Sequence, residues 1–414
     1  MLFDMTPGTE EKLSKGMTAG YIGFDPTAPS LGVGNLVTIM MLVHFQRAGH
    51  KPVILIGGAT GMVGDPSGKS AERNMLSEEV ISENLARQRK QLEQFLDFDC
   101  GANSAIIVNN RDWFQDFGLL EFLRDVGRHI TVNYMAAKDS VKSRMETGIS
   151  FTEFCYQLIQ GYDFYYLAQN HGCRLQMGGS DQWGNITTGI ELIRRMGAGE
   201  AYAATCPLIK KADGTKFGKS EAGNVWLDAS MTSPYRFYQF WFNSSDEDVV
   251  KFIKIFSIRR PDEIEEAIAE HLQDPGRRSL QKALAEEVTE MVHGKEALKQ
   301  AVKASGLLFS KNREDLDGFT VEELQDVFQG VPSGCIDREK LSQGINLVEF
   351  LIETGAFSSK KEARRLIQQG GLSINLEPCD SPDRTLDLKD LLNDKLIWVK
   401  KGKRKNHIVY LETL

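Results

Sequence analysis

Three clusters of polar residues have types and spacing that could do chemistry. In FTEFCYQLIQGYDFYYL (151–167), Tyr156, Gln160 and Asp163 fall at i, i+4 and i+7. On a helix that spacing puts three hydrogen-bonding groups on one face of an otherwise apolar and aromatic segment. Buried polar groups need partners, and a bound small molecule or an internal hydrogen-bond network would serve equally well. The second cluster is QMGGSDQWGN (176–185): glycines ending a strand, Ser180 as a cap, and Asp181-Gln182 opening a helix. That is the C-terminal edge of a parallel strand, where α/β sheets place ligands. The third, KKADGTKFGKSEAGN (210–224), is rich in Lys and Gly without apolar periodicity, which predicts a mobile exposed loop. Its Lys216 and Lys219 would suit polyphosphate neutralisation, and a merely solvated loop explains them too.

Two phosphate-loop lookalikes fail. GDPSGKS (64–70) resembles a Walker A loop, but Val63 stands where its first glycine belongs. Gly32-Val33-Gly34 resembles a dinucleotide fingerprint, but Val37 occupies the third glycine position. No acidic residue lies between Asp25 and Asp65 to hold a ribose. What survives is a strand, a Gly-rich loop and a helix N-terminus, a setting that suits an anion.

The elements that must position these groups alternate. Strands are predicted at 18–24, 52–57, 104–109 and 173–178, and helices at 34–48, 77–97 and 181–196, with helices dominating from 110 to 170. This βαβ order predicts a doubly wound parallel α/β sheet. An aromatic-rich helix opens at Pro234 and amphipathic helices continue to about 306. Residues 307–343 read as a linker, and 344–414 as a small separate module.

Composition bounds the class. The 414 residues are 41% apolar and 26% charged, which excludes a disordered or membrane-embedded chain. No apolar run is long enough for a membrane span, and the start lacks the pattern of a signal peptide. The six scattered cysteines form no CxxC, so reduced thiols in a cytoplasmic protein are expected, without a structural metal. A net charge of −8 excludes a uniformly basic nucleic-acid coat. The charge is partitioned, however. Residues 344–414 hold 12 Lys and Arg against 10 Asp and Glu, a local +2, leaving −10 on the rest.

Within the terminal module, SSKKEARRLIQQGG (358–371) predicts a helix with a Ser359/Glu362 capping box and Gly370 at its end. Ala363, Leu366 and Ile367 form its apolar face, and Lys360, Lys361, Arg364 and Arg365 cover the rest. LIWVKKGKRKNHIVYL (396–411) predicts a hairpin carrying Lys400, Lys401, Lys403, Arg404 and Lys405. Two basic clusters point to RNA phosphates.

GYIGFDPTAPSLGVGNL (20–36) and GGATGMVGDPSGK (57–69) resemble the active-site signature of bacterial tyrosyl-tRNA synthetases. FCYQLIQGYDF, QMGGSDQWGNI and KADGTKFGKS match the same family in the same order. The terminal module is similar to a small RNA-binding domain also found in a ribosomal protein and in pseudouridine synthases. The resemblance implies a Rossmann-like catalytic domain over 1–231 with an inserted helical dimerisation segment. It further implies a helical anticodon-recognition domain over 232–306, then the linker and an RNA-binding domain over 344–414.

The resemblance also implies the reaction: tyrosine and ATP, with Mg2+, give tyrosyl-adenylate and pyrophosphate, and the tyrosyl group passes to tRNA(Tyr). A homodimer is implied, with no membrane partner. Carried over by motif position, Tyr21 and Asp163 bind the phenol hydroxyl. Asp65, Tyr156 and Gln160 hold the α-ammonium group, with Gln182 near the carboxylate. Gly23, Asp25, Gly34, Gly179 and Asp181 line the ATP and adenylate side. Thr27, Asn35, Lys69, Arg73, Lys216 and Lys219 act on the polyphosphate. A tyrosine and a carboxylate aimed at one hydroxyl reject phenylalanine by being left unpaired, a logic for which tyrosyl enzymes are the standard example.

Two departures from the pattern stand out. The HIGH-like tetrapeptide is Gly32-Val33-Gly34-Asn35, with glycine in place of the phosphate-donating histidine. Losing such a donor costs roughly 10²–10³ in rate. A tRNA-binding paralogue with weakened catalysis therefore stands as an alternative, beside the tryptophan enzyme and, more distantly, an oxidoreductase. The segment before Tyr21 is also shorter than in relatives, which a truncated or misassigned start would explain.

Overall fold

The computed structural model describes residues 2–65, 67, 76–146, 148–220, 223–308, 310, 312–402 and 405–412. By contacts the chain divides into two compact units. The first comprises Met1–Thr232 and Phe240–Val292, the second Ser233–Gln239 and His293–Leu414.

The first unit is built on a six-stranded sheet: β1 (Asp4–Met5), β2 (Ala19–Phe24), β3 (Lys51–Ile56), β4 (Ile106–Asn109), β5 (Cys173–Gly179) and β6 (Tyr202–Cys206). Their order is β1-β6-β5-β2-β3-β4, and every neighbouring pair is parallel except β1 with β6. The predicted doubly wound α/β architecture is thus present. From β2 the chain moves outward through β3 to β4, then returns to lay β5 on the other side of β2. The seam between β2 and β5 is therefore the topological switch point, where such sheets hold ligands.

Local chemistry accounts for the elements. β3, KPVILI, is buried along nearly its whole length, as expected of a parallel strand covered on both faces. The helix Val33–Arg47 ends with Gly49 in the left-handed region (φ 88°), the conformation glycine adopts most readily. Ser150 caps the helix Phe151–Asn170 by accepting from Glu153 N at 3.2 Å. A buried ion pair of Arg144 with Glu153 (2.8 Å) fixes the same end. Ser180 does not act as the expected cap: it lies inside the 3-10 turn Ser180–Gln182, which Gly179 precedes.

The expected helical stretch 232–306 is interrupted. Gly294 (φ 83°, ψ 170°) breaks the helix Ser279–Leu307, beside the division between the units at Val292/His293.

In the second unit a five-stranded sheet runs Glu377–Pro378, Leu372–Ile374, Leu396–Lys401, Lys405–Leu411, Ser333–Ile336. Only the last pairing is parallel. Side chains alternate between two cores. Ile397, Val399 and Val409 pack with Phe350, Leu351 and Ile367, whereas Leu396, Trp398 and Ile408 pack with Phe319, Leu324 and Phe328. This overturns the expected linker at 307–343, which supplies both an edge strand and much of one core. The small α+β module therefore begins well before residue 344.

The basic residues of this unit divide into two kinds. Lys360, Lys361, Arg364 and Arg365 are exposed on the helix Lys360–Gln368. Ser359 takes the N-cap position there without a side-chain cap bond, so the expected capping box is not made. Gly370 (φ 66°) follows the helix end as expected. Lys400 and Lys401 correct the sequence reading. Lys400 is 5% exposed, and its ammonium group donates to the carbonyls of Leu308 and Ser310. Lys401 donates to Ala356 O and lies over the Phe357 ring. Two consecutive lysines, one on each face of the strand, thus end on internal carbonyls, which a run of basic residues does not reveal. Lys403 and Arg404 lie outside the described residues, and Lys405 is exposed.

Lys400→Met is expected to destabilise the second unit by about 1–3 kcal/mol in urea unfolding, because two buried carbonyls lose their donor. It should leave the salt dependence of RNA binding unchanged, whereas Arg364→Ala should lower the slope of log K against log salt by about 1. A slope lowered by Lys400→Met would place its charge on RNA after all.

Candidate functional site

A cavity of about 300 Å³ opens at the β2–β5 seam of the first unit. Tyr21, Gly23 and Phe24 of β2 line one wall and Gln176 to Gly179 of β5 another, in a register that pairs Tyr21 with Gln176. The helix Phe151–Asn170 turns its polar stripe inward, so Tyr156, Gln160 and Asp163 all reach the cavity. Asp25, Thr27, Gly34, Asn35, Thr60, Asp65, Gly179, Asp181 and Gln182 also line it. Four stretches far apart in sequence thus converge on one place.

At the deep end, Asp163 is buried and both its oxygens are held. Trp113 Nε1 donates to Oδ1 at 2.9 Å and Asn110 Nδ2 to Oδ2 at 3.1 Å. Burial lifts this carboxyl well above the usual carboxylate range. The two hydrogen bonds oppose that rise, and the charge of Asp25 adds to it. The Tyr21 hydroxyl is buried nearby with no hydrogen-bond partner, and Gln176 Oε1 shares that condition. Burial, then the charge of Asp163, keeps the Tyr21 phenol protonated well above its ordinary value. A buried, unpaired hydroxyl is costly unless a ligand completes it.

In the middle, carboxamides and carboxylates interlock. Gln182 Nε2 donates to Asp65 Oδ2 at 2.8 Å, and Gln160 Nε2 approaches Gln182 Oε1 at 3.4 Å. Asn185 Nδ2 reaches Gln160 Oε1 (3.0 Å), Gln182 Oε1 (3.3 Å) and Asp65 Oδ1 (3.3 Å). Tyr156 Oη donates to Asp25 Oδ2 at 2.7 Å. Burial, then the charges of Asp25 and Asp65, holds that phenol in its protonated, donating form. Asp25 and Asp65 give this region a negative field suited to an ammonium group.

At the mouth, Asn35 Oδ1 accepts from the Gly32 backbone N–H at 3.1 Å, which leaves its amide nitrogen as the donor on the cavity side. Gly32 is closely covered: a Cβ there would lie 3.2 Å from Val225 O. Val33 N donates to Val225 O (3.0 Å) and Leu227 N to Leu31 O (2.8 Å), tying this segment to the helix start.

Part of the loop 210–224, expected to be exposed and mobile, is locally ordered. It forms a short hairpin, Lys219–Ser220 with Gly223–Asn224. Phe217 packs among Phe240, Trp241, Phe252 and Phe256, with centroids 4.9–5.8 Å apart. Gly218 sits against Val33 and Gly34, where a Cβ would lie 3.1 Å from Val33 Cγ2. One aromatic side chain within a polar run is enough to anchor it. Lys216 and Lys219 flank this anchor, remain exposed, and are not among the residues lining the cavity. Lys69 and Arg73 lie outside the described residues.

Sequence reasoning missed Thr60, Asn110, Trp113, Gln176 and Asn185. Asn110 follows the C-terminal end of β4, so strand-end polarity was an available signal for it, and Gln176 opens the quoted motif 176–185. Asn185 lies inside a motif already singled out. Thr60 likewise lies inside the quoted stretch 57–69, and nothing local marked Trp113. Among the described residues no group of His, Cys, Asp and Glu is arranged to hold a metal, and no helix is long and apolar enough to cross a membrane.

A family model described as tRNA synthetases class I (W and Y) matches residues 14–310, and one for a tyrosine--tRNA ligase SYY-like C-terminal domain matches 323–409. The tyrosine--tRNA ligase of Cytophaga hutchinsonii is 57% identical over 99% of this chain and 96% of its own length. That of Porphyromonas gingivalis is 55% identical over 100% and 97%. Among solved structures, a C-terminally truncated mitochondrial tyrosyl-tRNA synthetase from Aspergillus nidulans superposes with a TM-score of 0.67 at 31% identity. It covers 75% of this chain and 91% of that one. Agreement of this extent, over both the catalytic body and the terminal module, means that the chain belongs to the tyrosine branch of the class I tRNA synthetases.

Proposed function

We propose that this chain is a tyrosine–tRNA ligase that works without a nucleophilic side chain. One observation carries the reading of the pocket. The buried Tyr21 hydroxyl has no partner, and it lies beside a carboxylate already immobilised by Asn110 and Trp113. A substrate phenol would donate to Asp163 and accept from Tyr21, pairing both. Asp65, Tyr156 and Gln160 take the α-ammonium group, and Gln182 orients the carboxylate. A tyrosine carboxylate oxygen then attacks the α-phosphorus of MgATP. The bond to the β-phosphate oxygen breaks and pyrophosphate leaves. Gly23, Asp25, Gly34, Gly179 and Asp181 bound the adenylate side, while Thr27, Asn35, Lys69, Arg73, Lys216 and Lys219 meet the polyphosphate. In the second step a hydroxyl of the terminal adenosine of tRNA(Tyr) attacks the carbonyl and AMP leaves. Positioning and charge stabilisation supply the rate.

The exposed cations Lys360, Lys361, Arg364 and Arg365 are the tRNA contacts of the terminal module. Leu119, Leu120, Val132 and Phe151 are exposed on successive helical segments, Leu120 by 82% and Phe151 by 75%. Large apolar side chains in that number suit a second copy of the chain, so a homodimer is proposed. A cytoplasmic location, where bacterial relatives would meet tRNA, is proposed with it.

Tyrosine should drive ATP–pyrophosphate exchange, and tryptophan should not; exchange with tryptophan alone would overturn the assignment. Tyr21→Phe is expected to lower the tyrosine-to-phenylalanine ratio of kcat/KM by roughly tenfold, the worth of one buried hydrogen bond. Gly32→His should raise the exchange rate on the order of tenfold. That is less than a free phosphate donor would give, because its Cβ must displace Val225 O at 3.2 Å. An unchanged rate would show that no donor is missing. In sedimentation, Leu120→Asp should shift the chain from dimer to monomer, and an unchanged state would rule out this face.

A further inference from the structure

The Gly-rich turn just before the failed phosphate-loop lookalike has a task of its own. Gly57 to Gly61 follow β3 and turn through a 3-10 segment at Thr60–Met62. Thr60 is 2% exposed, with its hydroxyl 2.7 Å from Asp25 Oδ1 and 3.0 Å from Asn110 Nδ2. The direction of each bond is fixed. Ala59 N donates to Asn110 Oδ1 at 2.7 Å, which orients that amide. The Asn110 nitrogen can only donate, and it serves both Thr60 Oγ1 and Asp163 Oδ2 (3.1 Å). Thr60 therefore accepts from Asn110 and gives its own proton to Asp25. The bonds between the two carboxylates thus run in a set sense: Asn110 donates to Asp163 and to Thr60, and Thr60 donates to Asp25.

A second feature serves the same bond. A Cβ at Gly57 would lie 2.1 Å from Asp25 Oδ1 and 2.2 Å from Thr60 Oγ1. Only glycine lets this hydrogen bond cross the end of β3. The glycines of this loop thus make room for side-chain contacts within the protein.

We infer that Thr60 is a positioning residue that ties Asp163, at the phenol end, to Asp25, at the adenylate end, so that recognition of the tyrosine hydroxyl and alignment of ATP are set together. This rests on the assignments of Asp163 and Asp25 made under the proposed function. Thr60 itself acts through these two groups.

Thr60→Val keeps the β-branched shape without the hydroxyl, and Thr60→Ser keeps the hydroxyl. Exchange is measured on the full chain with tyrosine and with phenylalanine, at varied ATP. Thr60→Val is expected to lower the tyrosine-to-phenylalanine ratio of kcat/KM about tenfold and to raise KM for ATP about tenfold, the scale of one lost hydrogen bond. Thr60→Ser should restore both to within about threefold of the unaltered chain. Thr60→Ala, expected to behave as valine does, serves if the valine variant does not fold. A shift in one readout without the other, or a lowered melting temperature with both unchanged, overturns the coupling. If the unaltered chain fails to exchange with tyrosine, the site assignments themselves fail and the coupling falls with them.

Discussion

A carboxylate buried at the seam of two parallel strands is costly to maintain, and much of the first unit is arranged around Asp163. Removing an ion from water costs several kcal/mol even after relaxation. Hydrogen bonds to a charged group return about 1.5–3 kcal/mol each. Trp113 and Asn110 supply two of them, so their contribution is of the same order as the penalty. Neither donor can move freely. Trp113 is stacked on Tyr166 at 4.3 Å between centroids, and Asn110 is oriented by Ala59 N. The aromatic packing behind the site thereby supports an electrostatic arrangement as well as a hydrophobic core.

The sheet order explains why these partners can meet. Asp163 comes from the helix preceding β5, Asn110 follows β4, Thr60 lies in the loop after β3, and Asp25 just beyond β2. In a doubly wound sheet all these strand ends lie at the same edge. A few consecutive loops can therefore place side chains a hundred residues apart within hydrogen-bonding distance. The glycines of 57–61 add the clearance that such convergence needs.

That convergence also marks what a sequence can reveal. The stripe of Tyr156, Gln160 and Asp163 was legible because helical periodicity is local, and all three line the cavity. The α/β alternation was legible for the same reason. The partnerships of Thr60, Asn110 and Trp113 were not, because each joins groups 35 to 53 positions apart. Charge was read least well. Lys400 looks like its basic neighbours until strand alternation turns it onto the carbonyls of Leu308 and Ser310. The 307–343 stretch reads as a linker because its strand is four residues long and pairs only with the chain's last strand.

Gly32 shows the same limit from the other side. By composition it is a lost donor. In the fold, the Gly32–Gly34 turn is where the backbone of the Val225 segment and the Gly218 loop come down onto the helix start. Two glycines facing one another let main chains approach as side chains would not. The loop carrying Lys216 and Lys219 is held at its base by that contact and by Phe217 in its aromatic cluster. The lysines themselves stay exposed. A base packed by an aromatic anchor with exposed cations beside it suits the polyphosphate role proposed for these lysines, since charges held that way could meet the phosphates together and be released with pyrophosphate. On the proposed function, the position that lacks a phosphate donor also lies beside the segment on which the loop of the two lysines is seated.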